Sequence, residues 1–139
     1  MRLEKGFLHW KADLLTEFDP FETGLDRFVK LQKTDFIGKD AVQKRASSAP
    51  SKKLVTLEID CQIGPAHGGA SLMLGKDVVG TITSGEWGHR TGKKLAYAFV
   101  DRALSEIGSE MQLDSCGRMV GARVIPICPY DPEHKLMRS

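Results

Sequence analysis

The hydrophobic pattern of this chain changes character near residue 50. From Lys53 to Asp60 the text KLVTLEID alternates Leu54, Thr56 and Glu58 with Val55, Leu57 and Ile59. A period of two sends alternate side chains to opposite faces of a strand. The runs ASLML, DVVGTITS, LAYAFV and MVGARVIPI follow, short, rich in β-branched residues and punctuated by Gly and charged residues. Several such runs at short spacing predict an antiparallel β-sandwich or barrel. Gly75–Asp77 and Ser115–Gly117 have the residues of tight hairpins, and Ala103–Ile107 those of a short helical turn.

Upstream of Ser47 helical signals replace the alternation. Met1–Lys5 (MRLEK) is rich in helix formers, with Gly6 as a C-cap. So short a segment does not sustain a helix alone. It reads either as the last turn of a helix whose body lies upstream or as a loose N-terminal arm. Asp19 can cap a short helix with Pro20 at its first position, Glu22 in its first turn and Gly24 at its end. Phe28–Leu31 (FVKL) favours a strand. Thr34 or Asp35 can start a helix that runs to about Arg45. The segment 47–53, SSAPSKK, reads as a linker between residues 1–46 and 54–139. The expected fold class is α+β, mainly β: a C-terminal antiparallel β-barrel lobe preceded by a helix–strand–helix segment.

Composition narrows the function. The 139 residues make one domain, or one domain and a subdomain, and the 41% apolar and 27% charged fractions exclude a disordered chain. A net charge of +2 argues against a protein that coats nucleic acid or an anionic membrane. The charge divides unevenly, with +3 over residues 1–53 (11 Lys/Arg against 8 Asp/Glu) and −1 over the rest (9 against 10). No apolar stretch approaches the roughly 20 residues of a membrane-spanning helix, and MRLEKGFLHW lacks a signal-peptide core. Cys61, Cys116 and Cys128 are too few and too scattered for a disulfide framework, which favours a reducing compartment, the cytoplasm.

No catalytic set is visible. Gly64, Gly68 and Gly69 lack the strand–turn–helix setting of a phosphate loop, and Thr83-Ser84-Gly85 is not a nucleophile elbow. No Cys has a His partner in the pattern, and His9, His67, His89 and His134 have no metal-ligand spacing, so no metal site is expected. Two clusters stand out. His9-Trp10 follows Arg2-Leu3-Glu4, and a loop expected at Thr83–Arg90 carries Trp87, His89 and Arg90. Such a loop either serves function or simply packs its Trp.

At these residues the chain resembles the C-terminal part of the glycine-cleavage T-protein (aminomethyltransferase) family. It is most similar to the version fused to flavin-dependent sarcosine and dimethylglycine dehydrogenases. The matching text is RLEKGFLHW (Arg2–Trp10), PFETGLDRFVKL (Pro20–Leu31), DFIGKDAV (Asp35–Val42), GTITSGEWGHRTGKKLAYAFV (Gly80–Val100) and PYDPEHKLMR (Pro129–Arg138), in the family's order. Where plain T-proteins carry Ser-Pro this chain has Gly88-His89, which favours the dehydrogenase-fused type.

The resemblance implies that residues 1–46 close a folate-binding lobe and 54–139 form the C-terminal barrel lobe. It implies transfer of a one-carbon unit from a small amine to tetrahydrofolate, with FAD possible in an upstream domain. Upstream domains of the same enzyme would be the partners, with no nucleic acid and no membrane. The family's catalytic Asp and its pterin-holding Glu lie upstream of the RLE motif, so no catalytic residue is expected here and the chain alone should be inactive. By the same resemblance Arg2, Tyr130, Trp10 and His9 bind folate, and Trp87, His89 and Arg90 form an inter-lobe loop. The competing reading is a separate non-catalytic module that completes a partner's folate-binding fold.

Overall fold

A computed structural model describes residues 1–61 and 66–138, so Gly64 lies outside the described residues. The strands are β1 (Lys52–Asp60), β2 (Ser71–Leu74), β3 (Asp77–Gly88), β4 (Lys93–Asp101), β5 (Glu110–Ser115) and β6 (Arg118–Ile125). All neighbours are antiparallel, and the order β1-β4-β3-β2-β5-β6 closes into a barrel through β1 and β6. The helices are α1 (Pro20–Thr23), α2 (Lys39–Ser47) and α3 (Lys135–Arg138).

The barrel interior is one apolar cluster that includes Val55, Leu57, Leu72, Ile82, Val100, Leu113 and Val124. A second cluster lies on the opposite faces of β1 and β4, where Leu54, Leu95, Tyr97 and Phe99 pack with Leu3, and Leu8 and Phe18 lean on them. The Phe18 and Phe99 rings stack with centroids 3.6 Å apart. Burial on both faces explains why β4 reads as an unbroken apolar run, LAYAFV, rather than an alternation. The N-terminal segment is therefore the outer cover of the β1–β4 face.

Local chemistry places the turns. Gly75 and Lys76 link β2 to β3, and Cys116 and Gly117 link β5 to β6, with φ of 53° and 82° at the latter pair. The Asp114 carboxylate accepts the Gly117 N–H at 2.8 Å and stabilises that turn. Arg102–Leu104 is a 3-10 turn that overlaps the start of the stretch expected to be helical, Ala103–Ile107. Gly6 ends the 3-10 turn Leu3–Lys5 at φ 75°. At α1, Asp19 accepts the Phe21 and Glu22 N–H groups while Glu22 accepts the Asp19 N–H, a complete capping box.

Three local expectations change. No strand forms at Phe28–Leu31; Asp26–Phe28 is a 3-10 turn. A strand forms only against a partner, and all the strand pairings of the barrel are made among its own six strands. The second helix starts at Lys39 rather than Thr34 or Asp35, because Gly38 adopts φ 83° and breaks the helical path before it. Residues Thr83–Gly88 are not a loop but the end of β3, paired with β4 up to Gly88↔Lys93. Only residues 89–92 make the turn.

Gly85 and Gly121 make a test of the packing. A Cβ on Gly85 would collide with the Ala66 carbonyl oxygen and lie 2.9 Å from the Ala66 Cβ. One on Gly121 would meet nothing closer than the Asp60 Cβ at 3.6 Å. Gly85→Ala should cost about 1–3 kcal/mol, and Gly121→Ala should be neutral or stabilise by up to about 1 kcal/mol. Urea unfolding of both variants checks this, and equal midpoints would refute the close approach at Gly85.

Candidate functional site

The N-terminal segment is fastened to the barrel by two buried carboxylates. The first is Asp13, which is 0% exposed. Its Oδ1 accepts the Thr83 hydroxyl at 2.6 Å and the Ser84 hydroxyl at 2.5 Å. Its Oδ2 accepts Arg2 Nη1 at 2.6 Å and the His9 backbone N–H at 2.8 Å. Successive residues of a regular strand point to opposite faces. Here the β3–β4 register shifts between Ile82 and Ser84, so Ser84 opposes Tyr97 and Thr83 is the extra residue, its hydroxyl also within 3.3 Å of the Tyr97 carbonyl. That bulge is what lets two neighbouring hydroxyls reach one carboxylate oxygen. Burial tends to raise the Asp13 pKa, but the donors from Ser84, Thr83 and His9, with the Arg2 charge, hold it below the ordinary value.

The second carboxylate is Glu4, 1% exposed. Its Oε1 accepts the Arg90 N–H at 2.6 Å, the Thr91 N–H at 2.9 Å and the Thr91 hydroxyl at 3.3 Å. Its Oε2 has no hydrogen-bond partner and lies 3.6 Å from the Met1 amino group. Burial again opposes the charge, and the Thr91 and Arg90 amides prevail, so this pKa is also lowered. Gly88 gives the carboxylate room, since a Cβ there would stand 3.0 Å from Glu4 Oε1 and collide with the Thr91 hydroxyl.

The C-terminal tail joins the same junction. The Tyr130 N–H donates to the Glu4 carbonyl at 3.1 Å. Lys5 Nζ pairs with the Asp131 carboxylate at 3.0 Å and donates to its carbonyl at 2.9 Å. The Lys5 Nζ and the Arg90 Cζ each lie 5.8 Å from the Tyr130 ring centroid, a cation–π arrangement. Arg2 lies at the same distance from the Tyr97 ring, whose hydroxyl donates to the Leu3 carbonyl at 3.4 Å. Burial first, and then the Asp13 charge, push the Tyr97 hydroxyl far above its usual pKa, so it remains a neutral donor.

The junction brings together Arg2, Arg90 and Tyr130 of the residues singled out from the sequence. His9 contributes its backbone while its side chain is exposed, and Trp10 is 63% exposed. Trp87 lines a separate hollow of about 890 Å³ with Lys93, Lys94 and Cys61. His89 is exposed in the turn. Nothing in the sequence pattern marks Asp13, Thr83 and Ser84 as a unit. The available signal was an acid set between Ala12 and Leu14, where a charge needs buried partners. The buried carboxylates Glu4, Asp13 and Glu22 all face donors within the chain. The junction therefore presents cations and an aromatic face, with Glu4 Oε2 as its one buried carboxylate oxygen without a hydrogen-bond partner among the described residues.

Residues 52–131 match the family described as the glycine cleavage T-protein C-terminal barrel domain. The chain is 35% identical over its whole length to mitochondrial dimethylglycine dehydrogenase of Homo sapiens, covering 16% of that protein. It is 36% identical over 94% of its length to an aminomethyltransferase of Saccharopolyspora erythraea, covering 36% of it. The crystal structure of glycine cleavage system aminomethyltransferase T from Bartonella henselae superposes with a TM-score of 0.86 over 94% of the chain and 37% of that protein, at 24% identity. That last likeness carries the fold alone.

Acid should test the two carboxylates. Both have folded pKa values below their unfolded ones, so their stabilisation is complete above the unfolded range near about 4. It is lost as pH falls through that range and the lower folded values. Asp13→Asn should lower stability at neutral pH by about 2–4 kcal/mol and flatten the acid limb of the stability–pH curve. The cost stays in that range because Arg2 is 35% exposed and regains water. An acid limb with unchanged slope would show that Asp13 is not the group that titrates.

Proposed function

Because the chain belongs to the glycine-cleavage T-protein C-terminal barrel family, we propose that it is the C-terminal part of a folate-dependent aminomethyltransferase, of the kind joined to a flavin-dependent dimethylglycine or sarcosine dehydrogenase. The whole protein then transfers a one-carbon unit from a small amine to tetrahydrofolate. In this reading residues 1–46 close the folate lobe, 47–53 link, and 54–139 are the barrel lobe. Upstream domains of the same polypeptide hold the FAD and supply the catalytic Asp and the pterin-facing Glu. Among the described residues no helix is long and apolar enough to cross a membrane.

The observation that carries the reading is the meeting of Arg2–Lys5 with Tyr130 and Asp131 across the Glu4 carbonyl. These are the two segments to which the resemblance assigns folate contacts, and they come from opposite ends of the chain. The pterin ring needs apolar or aromatic walls, and the anionic tail needs cations. The junction offers Tyr130 for the first and Arg90 for the second, while Arg2, paired with Asp13, keeps a side chain that is 35% exposed.

The test uses the full-length natural polypeptide. Titration with tetrahydrofolate should give saturable binding, and addition of dimethylglycine or sarcosine should yield methylene-tetrahydrofolate. Arg2→Ala should weaken folate binding by about 1–3 kcal/mol. Asp13→Asn separates the roles, because it removes the Arg2 ion pair but leaves the guanidinium in place. Folate affinity that falls equally in both variants would assign Arg2 to scaffold alone. One-carbon transfer by residues 1–139 without any upstream sequence would overturn the division of labour.

A further inference from the structure

We propose that the hollow between the N-terminal segment and the outer face of β3 and β4 binds a free α-amino acid with an aromatic side chain, held by Lys11 and Glu17. The hollow has a volume of about 510 Å³, within the size range of small-molecule sites, and Leu15, Phe18, Thr83 and Phe99 are among its walls. Arg2, Arg90 and Tyr130 do not line it, so it is separate from the junction that carries the folate reading. Its walls are fixed. The Phe18 and Phe99 rings stack at an interplanar angle of 13°, and Phe99 is 3% exposed. Thr83 is held through its hydroxyl to the buried Asp13. The turn that carries Lys11 is pinned twice. The His9 carbonyl accepts the Ala12, Asp13 and Leu14 N–H groups, and the Lys11 N–H donates to the Leu14 carbonyl at 3.2 Å.

The lining also supplies two uncommitted charges of opposite sign. Lys11 and Glu17 are both exposed, and neither side chain has a hydrogen-bond or ion-pair partner among the described residues. The third charged group of the lining, Lys52, is taken by Asp101 at 2.9 Å. Lys11 has φ 68°, a left-handed conformation that is costly for a non-glycine residue and persists where the surroundings enforce it. A simple anion would be drawn to Lys11 and repelled by Glu17, and a simple amine the reverse. An α-amino acid carries an ammonium and a carboxylate on one carbon, so two long, flexible side chains of opposite charge can close on it together. An aromatic side chain then suits walls that are themselves aromatic. A peptide is a poorer match, because its two terminal charges are a chain length apart.

The experiment titrates the full-length natural polypeptide with L-phenylalanine, phenylpropionate and phenylethylamine by isothermal calorimetry at low salt. The three share the ring, while phenylpropionate lacks the ammonium and phenylethylamine the carboxylate. Phenylalanine should bind about two- to fivefold more tightly than either, since each exposed ion pair contributes little. Lys11→Gly should remove the margin over phenylethylamine, and Glu17→Gln the margin over phenylpropionate. Glycine keeps the left-handed backbone at position 11 without its cost, and both side chains are exposed. Neither variant should therefore melt below the parent, and a lost margin reports the site rather than the fold. No saturable binding of phenylalanine by the parent, equal affinities for the three compounds, or both margins unchanged in the variants would overturn the proposal.

Discussion

The buried charge of Asp13 is the constraint on which the rest of the structure depends. A carboxylate with no access to water must collect donors or lose its proton. Asp13 collects four, and they come from three places: the arginine at the chain start, the backbone of the turn at His9, and two hydroxyls of β3. The β3 bulge exists in register with this need, since a regular strand would aim only one of those hydroxyls at it. The same anchor keeps Leu3, Leu8 and Phe18 over the outer face of β1 and β4. Without that cover Leu54, Tyr97 and Phe99 would face solvent from a strand pair that is apolar on both sides.

Glu4 extends the principle from anchoring to alignment. Its side chain fixes the backbone of a turn and its carbonyl fixes the tail, so one residue sets the spacing between Arg90 and Tyr130. The two carboxylates also divide the electrostatics. Asp13 neutralises Arg2 at short range, whereas Glu4 faces amides and leaves the Arg90 guanidinium available. Charge near the junction is thus organised by what is already committed, and the residue count of cations alone conveys little of it.

Legibility from the sequence followed the range of the interactions. The strands at Lys53–Asp60 and Leu95–Val100, the Gly75 and Gly117 turns and the Asp19 capping box were readable because each depends on neighbours in sequence. Phe28–Leu31 differs for the opposite reason: β propensity is realised only against a partner strand, and the six barrel strands pair among themselves. Thr83–Arg90, with its Trp, His, Arg and two glycines, reads as a loop, yet as far as Gly88 it is strand. Gly85 and Gly88 instead make room for Ala66 and Glu4, contacts that are distant in sequence. Of the candidate site, Arg2, Tyr130 and Arg90 were named from family likeness, while Asp13 with Thr83 and Ser84 was hidden because a bulge is not written in a residue pattern.

The closed order of strands has a consequence for how such a lobe can live within a larger protein. An open sheet can be extended by main-chain pairing with any passing strand, which ties its assembly to backbone geometry and invites edge-to-edge aggregation. A barrel whose β1 and β6 are joined has already spent those donors and acceptors on itself. Whatever rests on it must do so through side chains, as residues 1–18 do through Leu3, Phe18 and the Asp13 anchor. Recombination that attaches the same lobe to different neighbours then requires changes only on a surface, with the internal hydrogen-bond ladder left untouched.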